Sequence, residues 1–297
     1  MAKTETDQRQ HLEDIKLQHD EALGRNETFT SAEAQLCRDK ISEAEMVLVG
    51  LGEEFDCNGL QKCPQYGAGL ESLNAMGLGM LIPAWNGFCS GKCTEKQGKG
   101  TAGKALERLR VLLESKNYFV VSTSTSNEIY RTAWRTGRLV MPCGAAVKKQ
   151  CVKGCAEVLE EITREEDSGL RAYFENLYAG QPADKIPCLL GKCPVCGSDM
   201  VLNNIYAEGY NENGYLEQWQ LYKKWLQGTV NKKLLILELG VGMRFPTVIR
   251  WPFEKAAYFN NKAYFYRVNK KIYQLTEELS GKGSGISQNA IDWLCGL

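Results

Sequence analysis

Histidine is almost missing from this chain. Of 297 residues only His11 and His19 are histidine, and both fall in a polar opening stretch. From residue 20 onward there is none. This excludes a Ser-His-Asp or Cys-His machine, HExxH zinc chemistry and any histidine general base in the globular body. A charge excess is missing too, since 36 Lys+Arg face 36 Asp+Glu. With no RNA- or DNA-binding pattern either, no nucleic-acid partner is expected. No apolar run reaches about 18 residues, so no membrane span is expected. The opening MAKTETDQRQ lacks the apolar core of a signal peptide. Together with twelve cysteines, this predicts a reducing, cytoplasmic setting with thiols free or on metals.

Cysteine is what the chain has in quantity. Two pairs stand out, Cys151/Cys155 in QCVKGC and Cys193/Cys196 in KCPVCG. Each sets two thiolates on one tight turn. In the second, Pro stiffens the turn and Gly lets the backbone fold round an ion. Four thiolates in two turns suit a closed tetrahedral zinc site, structural because no coordination position is left open. A second set, Cys57, Cys63, Cys89 and Cys93, repeats the CxxxC spacing in its last pair. It offers ligands for a second zinc or an iron–sulfur cluster, but Cys57-x5-Cys63 is no familiar knuckle. Free thiols are the favoured reading.

The order of elements points to an α/β fold. Residues 1–29 read as a polar, helical segment, and Thr30 with Glu33 forms a capping-box pattern ahead of a helix over SAEAQLCRDKISEA. Short apolar runs read as buried parallel strands: MVLVG (46–50), YFVVST (118–123), RLVM (138–141), LLILELG (234–240) and AYFYRV (263–268). LESLNAMGLGMLI (70–82) reads as a helix broken by Gly77 and Gly79. GKALERLRVLLES (103–115) is an amphipathic helix, and the acidic EVLEEITREED (157–167) an exposed one. ISQNAIDWL (286–294) reads as the closing helix. Strands alternating with helices predict a Rossmann-type parallel sheet with helices on both faces, spanning 30–144 and 200–297. A small zinc-ribbon domain over 145–199 interrupts it. Ligands of such sheets sit beyond the carboxyl ends of the strands. Those ends are Gly50-Leu51-Gly52, Ser122-Thr123-Ser124, Met141–Gly144, Gly240-Val241-Gly242 and Asn269.

Taken in this order, the features resemble the sirtuins. The resemblance is nearest to their macrodomain-linked branch, class M, through CxxxC, then CPxC, then LELGVGMRFPTVIRWPFEK (237–255). It covers roughly residues 30–294 and is specific in the second half. It implies NAD as cofactor, with Gly50, Gly52, Glu53 and Asn127 along the cleft. Gly240, Val241 and Gly242 would stand on the adenosine side and Asn269 at its ribose. It implies zinc on Cys151, Cys155, Cys193 and Cys196, and an acyl-lysine or lipoyl-carrier protein as partner. The chemistry departs from the family. Ser124-Thr125-Ser126 stands where sirtuins have Asn-x-Asp. Cys143 stands where they have the catalytic His before Gly, which class M often replaces by Gln. Ser124, Ser126 and Cys143 are therefore the candidate catalytic residues, each equally readable as filler. The diphosphate-binding GAG reads Gly52-Glu53-Glu54, and a carboxylate there meets phosphate with like charge. The expected function is a divergent sirtuin that binds NAD or ADP-ribose with lost or altered transfer chemistry. The alternative is an active ADP-ribosyltransferase or deacylase with unusual residues.

Overall fold

The computed structural model describes residues 31–56, 59–94, 101–155, 159–181 and 189–297. The opening segment, Thr30 of the capping box, Cys57 and the start of the acidic stretch lie outside the described residues.

Six parallel strands form the main sheet. In chain order they are β1 (Met46–Leu51), β2 (Asn117–Ser122), β3 (Leu139–Val140), β7 (Leu234–Leu239), β8 (Tyr264–Val268) and β9 (Gly283–Ile286), side by side as β3-β2-β1-β7-β8-β9. Each neighbouring pair runs parallel, so every carboxyl end lies on one edge. The central strands β1 and β7 are buried throughout, as continuous apolar runs must be when both faces are covered.

Alternation decides the cover. Val47, Val49 and Leu51 of β1 face one apolar layer with helices α1 (Ser31–Glu43), α4 (Ala102–Leu112) and α9 (Ala290–Gly296). Met46 and Leu48 face the other, with α7 (Leu216–Gln227) and α8 (Arg250–Phe259). This is the predicted α/β class with helices on both faces.

A second sheet is antiparallel: β4 (Gly144–Cys151) between β5 (Glu160–Glu161) and β6 (Met200–Asn204). A third apolar cluster joins it to helices α2 (Pro64–Ala75), α3 (Ile82–Thr94) and α6 (Arg164–Tyr178).

Two expectations need correction. The acidic stretch is not one helix. Glu160 and Glu161 pair with Lys149 and Lys148 of β4. Thr163 then forms a capping box with Glu166, so the helix begins at Arg164. The closing helix does not begin at 286 either. Ile286 ends β9, an edge strand of sequence GSGI, and the Asn289 Oδ1 accepts from Ile291 N and Asp292 N to start α9. The helix read over 70–82 is α2, which begins earlier, at Pro64, and ends at Ala75 ahead of Gly77, where φ is +70. Helices α3, α7 and α8 are absent from the sequence reading. In α7 the buried residues, Tyr222 and Trp225, are amphipathic aromatics with polar bodies between them, a weak periodic signal.

Candidate nucleotide cleft and metal centre

Cys151 closes β4, and Cys193 and Cys196 lie on the turn that leads into β6. The pairing of Cys151 with Met200 draws the two turns together. All four Sγ atoms lie within 4.8 Å of one another. Cys151 is 3.5 Å from Cys196, and Cys155 is 3.4 Å from both Cys151 and Cys193. Four converging soft sulfurs are positioned to hold a metal ion, and zinc fits this donor set. The second thiol set behaves differently. Cys89 is buried, and Cys63 lies 3.7 Å from the Tyr178 hydroxyl. Among the described residues only the first set brings three or more ligand atoms that close together.

The carboxyl edge of the main sheet gathers the predicted cofactor residues. Gly52 is required by close approach, since a Cβ there would stand 2.2 Å from the Val241 Cα. Gly240 turns the chain with φ +64, a conformation that favours glycine. Gly50 passes under Ile249 and Phe253. Asn269 donates to the Val241 carbonyl at 3.2 Å and accepts from Lys271 N and Ile272 N, so it builds the turn after β8.

Glu53 and Glu54 occupy the backbone donors of this edge. Gly242 N donates to Glu53 Oε2 at 2.6 Å, while Glu53 Oε1 is buried without a partner. Lys270 N and Ala290 N donate to the two oxygens of Glu54 at 3.1 and 2.8 Å. The Glu54 Cβ fills the space beside Gly240. Burial raises the Glu54 pKa against these two bonds. The sequence leaves open which of the two acids lies against this edge, and in the fold both accept from its backbone N–H groups.

The candidate catalytic residues meet around an acid that sequence reasoning missed. Ser124 Oγ donates to Asp56 Oδ1 at 2.8 Å, and Thr125 donates to the same oxygen through N (2.8 Å) and Oγ1 (3.2 Å). Ser126 caps the short helix α5 (Asn127–Arg131), accepting from Glu128 N, and its own N donates to Ser124 Oγ. Asn127 pins that helix to β4, exchanging two bonds with the Ala146 backbone. Cys143 is buried, and its thiol is pushed up to about 12 by burial, with Asp56 and Glu53 adding negative charge. A thiol held protonated is a poor nucleophile, which favours the filler reading. Burial likewise pushes Asp56 up to about 6, against the bonds from Ser124 and Thr125. The one signal for Asp56 in the sequence is an acid just past a glycine-ended strand.

Asp56, Ser126 and Asn127 line a cleft of about 330 Å³ beside α3 and α6, with Phe88 and Phe174 also in its wall. A second cavity of about 310 Å³ lies across β4 between Trp134, Tyr210 and Tyr215; Met141 and Gly144 of the strand end at 141–144 line it, and none of the candidate catalytic, cofactor or metal residues does.

No family model matches the chain. By sequence it is 25% identical over 180 residues to a protein ADP-ribosyltransferase of Staphylococcus aureus (strain Mu50), a match covering 60% of this chain and 55% of that protein. It is 27% identical over 146 residues to a probable bifunctional ADP-ribose hydrolase/ADP-ribosyltransferase of Fusarium oxysporum f. sp. cubense, covering 46% of this chain and 23% of that one. The chain thus spans about half the length of the first relative and about a quarter of the second. Among solved structures it is similar to a Sir2 homologue–NAD complex, with a TM-score of 0.46, 14% identity and coverage of 88% of this chain and 91% of that chain. A sirtuin structure concerned with substrate affinity matches with a TM-score of 0.48, 12% identity and coverage of 88% and 96%.

Proposed function

We propose that this chain is a sirtuin-type protein that binds an ADP-ribose-bearing nucleotide along the carboxyl edge of β1, β2, β7 and β8, with transfer chemistry altered from that of the family. One observation carries the proposal. Backbone N–H groups of Gly242, Lys270 and Ala290 converge on this edge, and each is satisfied by a carboxylate. Donors that hold carboxylate oxygens are chemically able to hold phosphate oxygens. Gly52, Glu53 and Gly240–Gly242 would then border the diphosphate, Asn269 the ribose, and Gly50 the floor. Ser124, Ser126, Asn127 and Cys143 would border the reacting end. NAD would supply the ADP-ribosyl group there.

The names of the two curated relatives support ADP-ribosyl transfer and favour a second reading, an active ADP-ribosyltransferase or deacylase that works with these unusual residues. Within the sirtuin type we place the chain nearest the macrodomain-linked branch, on CxxxC, CPxC and the 237–255 element. We take residues 30–144 and 200–297 as the nucleotide-binding domain and 145–199 as the zinc ribbon. The protein partner we propose carries acyl-lysine or a lipoyl group, in the cytoplasm. Among the described residues no helix is long and apolar enough to cross a membrane.

Calorimetric titration with NAD and ADP-ribose tests the binding. The expected Kd is in the high micromolar range or weaker, about −5 to −6 kcal/mol, because phosphates must displace two carboxylates. Nicotinamide release on acetyl-lysine peptides is expected to be undetectable. Absence of any binding sinks the proposal, and robust peptide-dependent release replaces it by the second reading.

A further inference from the structure

Asp56 is placed where a proton acceptor would be needed. It follows β1, and all three hydrogen bonds it accepts come from the end of β2 and fall on one oxygen, Oδ1. None of the three donors is a cation. Asp56 lines the cleft. The other two acids of the cleft differ from it: Asp167 is paired with Arg171 at 2.9 Å, and Glu128 is exposed on α5. The titratable groups that face Asp56 come from three places. Glu53 is on its own turn, Cys143 follows β3 and Tyr206 follows β6, while Arg244, which follows β7, acts on Cys143 and Tyr206. Arg244 donates to the Tyr206 hydroxyl at 2.5 Å and lies over that ring, and among the described residues no cation forms an ion pair with Asp56 or lowers its pKa.

We propose that Asp56 is the acid–base group of this cleft, held by Ser124 and Thr125 and doing the work for which the globular body has no histidine. The proposal rests on the transfer reading above. An acceptor X–H, water in the simplest case, gives its proton to Asp56. The freed lone pair on X forms the new bond to the sugar carbon. The bond from that carbon to nicotinamide breaks, and its electron pair leaves on the ring nitrogen, which loses its positive charge. The near-neutral titration of Asp56 suits the role, because a base works best when its pKa lies near the working pH. Ser124 is then a positioning residue, since its bond favours the ionised carboxylate.

Two measurements on the full-length protein test this. In the first, carboxyl carbon resonances are followed by NMR against pH, and Asp56 is assigned as the signal lost in Asp56→Asn. It should titrate near 6, and Ser124→Ala should move it higher. Titration in the ordinary aspartate range overturns the proposal without any nucleotide present. In the second, nicotinamide release from NAD is measured across pH, beside calorimetry with ADP-ribose. Asp56→Asn should slow release by about 100-fold or more and leave ADP-ribose affinity within about threefold. The rising limb of the wild-type profile should move to higher pH in Ser124→Ala. Release that survives Asp56→Asn overturns the role of Asp56 alone. A wild-type protein that binds ADP-ribose and releases no nicotinamide at any pH overturns the transfer reading and this proposal together.

Discussion

The β7–β8 pair and the β1–β2 pair belong to one sheet and surround negative charge with different partners. Glu238 of β7 stands in register with Arg267 of β8. Both are buried, and the guanidinium meets the carboxylate at 2.7 and 3.1 Å. Arg267 also holds Glu254, and Arg250 adds a second cation at 3.3 Å from Glu238. Asp56, on the turn that follows β1, accepts hydrogen bonds only from neutral donors. A carboxylate flanked by two arginines has its charge answered and is part of the scaffold. Burial pushes the Glu238 carboxyl up as well, with Arg267 and Arg250 opposing it; at Asp56 burial is opposed only by neutral donors and the pKa reaches about 6, which is costly for stability and useful for proton transfer.

The largest effect should come from removing the metal. Chelation, or Cys193→Ser, should unfold the ribbon around β4 and β6, because binding and folding are coupled in such sites. Helix α6 lines the cleft from that side. Its loss should hydrate Asp56 and bring its titration down from about 6 toward the ordinary range, while the Glu238–Arg267 pair stays protected. Hydrogen exchange together with carboxyl NMR reads both regions at once. Metal analysis that finds no zinc in natively purified protein would remove the premise.

Breaking the answered pair comes next. Arg267→Ala leaves Glu238 buried beside the weaker Arg250 contact and should cost about 3–5 kcal/mol in urea unfolding. A loss below about 1 kcal/mol would mean that the two regions do not differ as described.

Removing the unanswered charge should act with the opposite sign. A folded-state pKa raised from 3.8 to about 6 means that the native state binds the proton more tightly. That stability is fully present below the unfolded pKa and is lost as pH rises through about 6. Asp56→Asn should therefore be more stable than wild type at pH 8, by roughly 1–2 kcal/mol once the solvent reaching the cleft is allowed for. The advantage should shrink toward pH 4. A thermal melt showing Asp56→Asn equally destabilised at both pH values would contradict this.

Much of the scaffold is legible in the sequence, because continuous apolar runs such as LLILEL specify buried parallel strands whatever surrounds them. The zinc ligands are legible for a similar reason, since each pair is local and only the meeting of the two pairs is tertiary. Asp56 is not legible. Its role depends on Ser124 and Thr125, which lie far away along the chain and reach it only through the β1–β2 pairing. Glu53 and Glu54 are half legible. Like charge at the turn proposed to bind phosphate can be read from GEE, but the N–H groups those acids satisfy belong to Gly242, Lys270 and Ala290. The strand GSGI is hidden by its glycines, which have low strand propensity.

The smallest expected effect concerns Glu54, and it separates charge from bulk. Glu54 places a carboxylate on Lys270 N and Ala290 N and a methylene against Gly240. A diphosphate arriving at this edge meets both obstacles. Glu54→Gln removes the charge and keeps the shape, whereas Glu54→Gly removes both. If repulsion dominates, each variant should tighten ADP-ribose binding by about tenfold, worth about 1.4 kcal/mol. If crowding dominates, only Glu54→Gly should gain. Glu53 stays on Gly242 N in both variants, so affinity should not reach the low micromolar range in either. Low-micromolar binding by the unmodified protein, or no gain in either variant, would show that the nucleotide does not pass Glu54, and the edge would then lose its claim as the phosphate site.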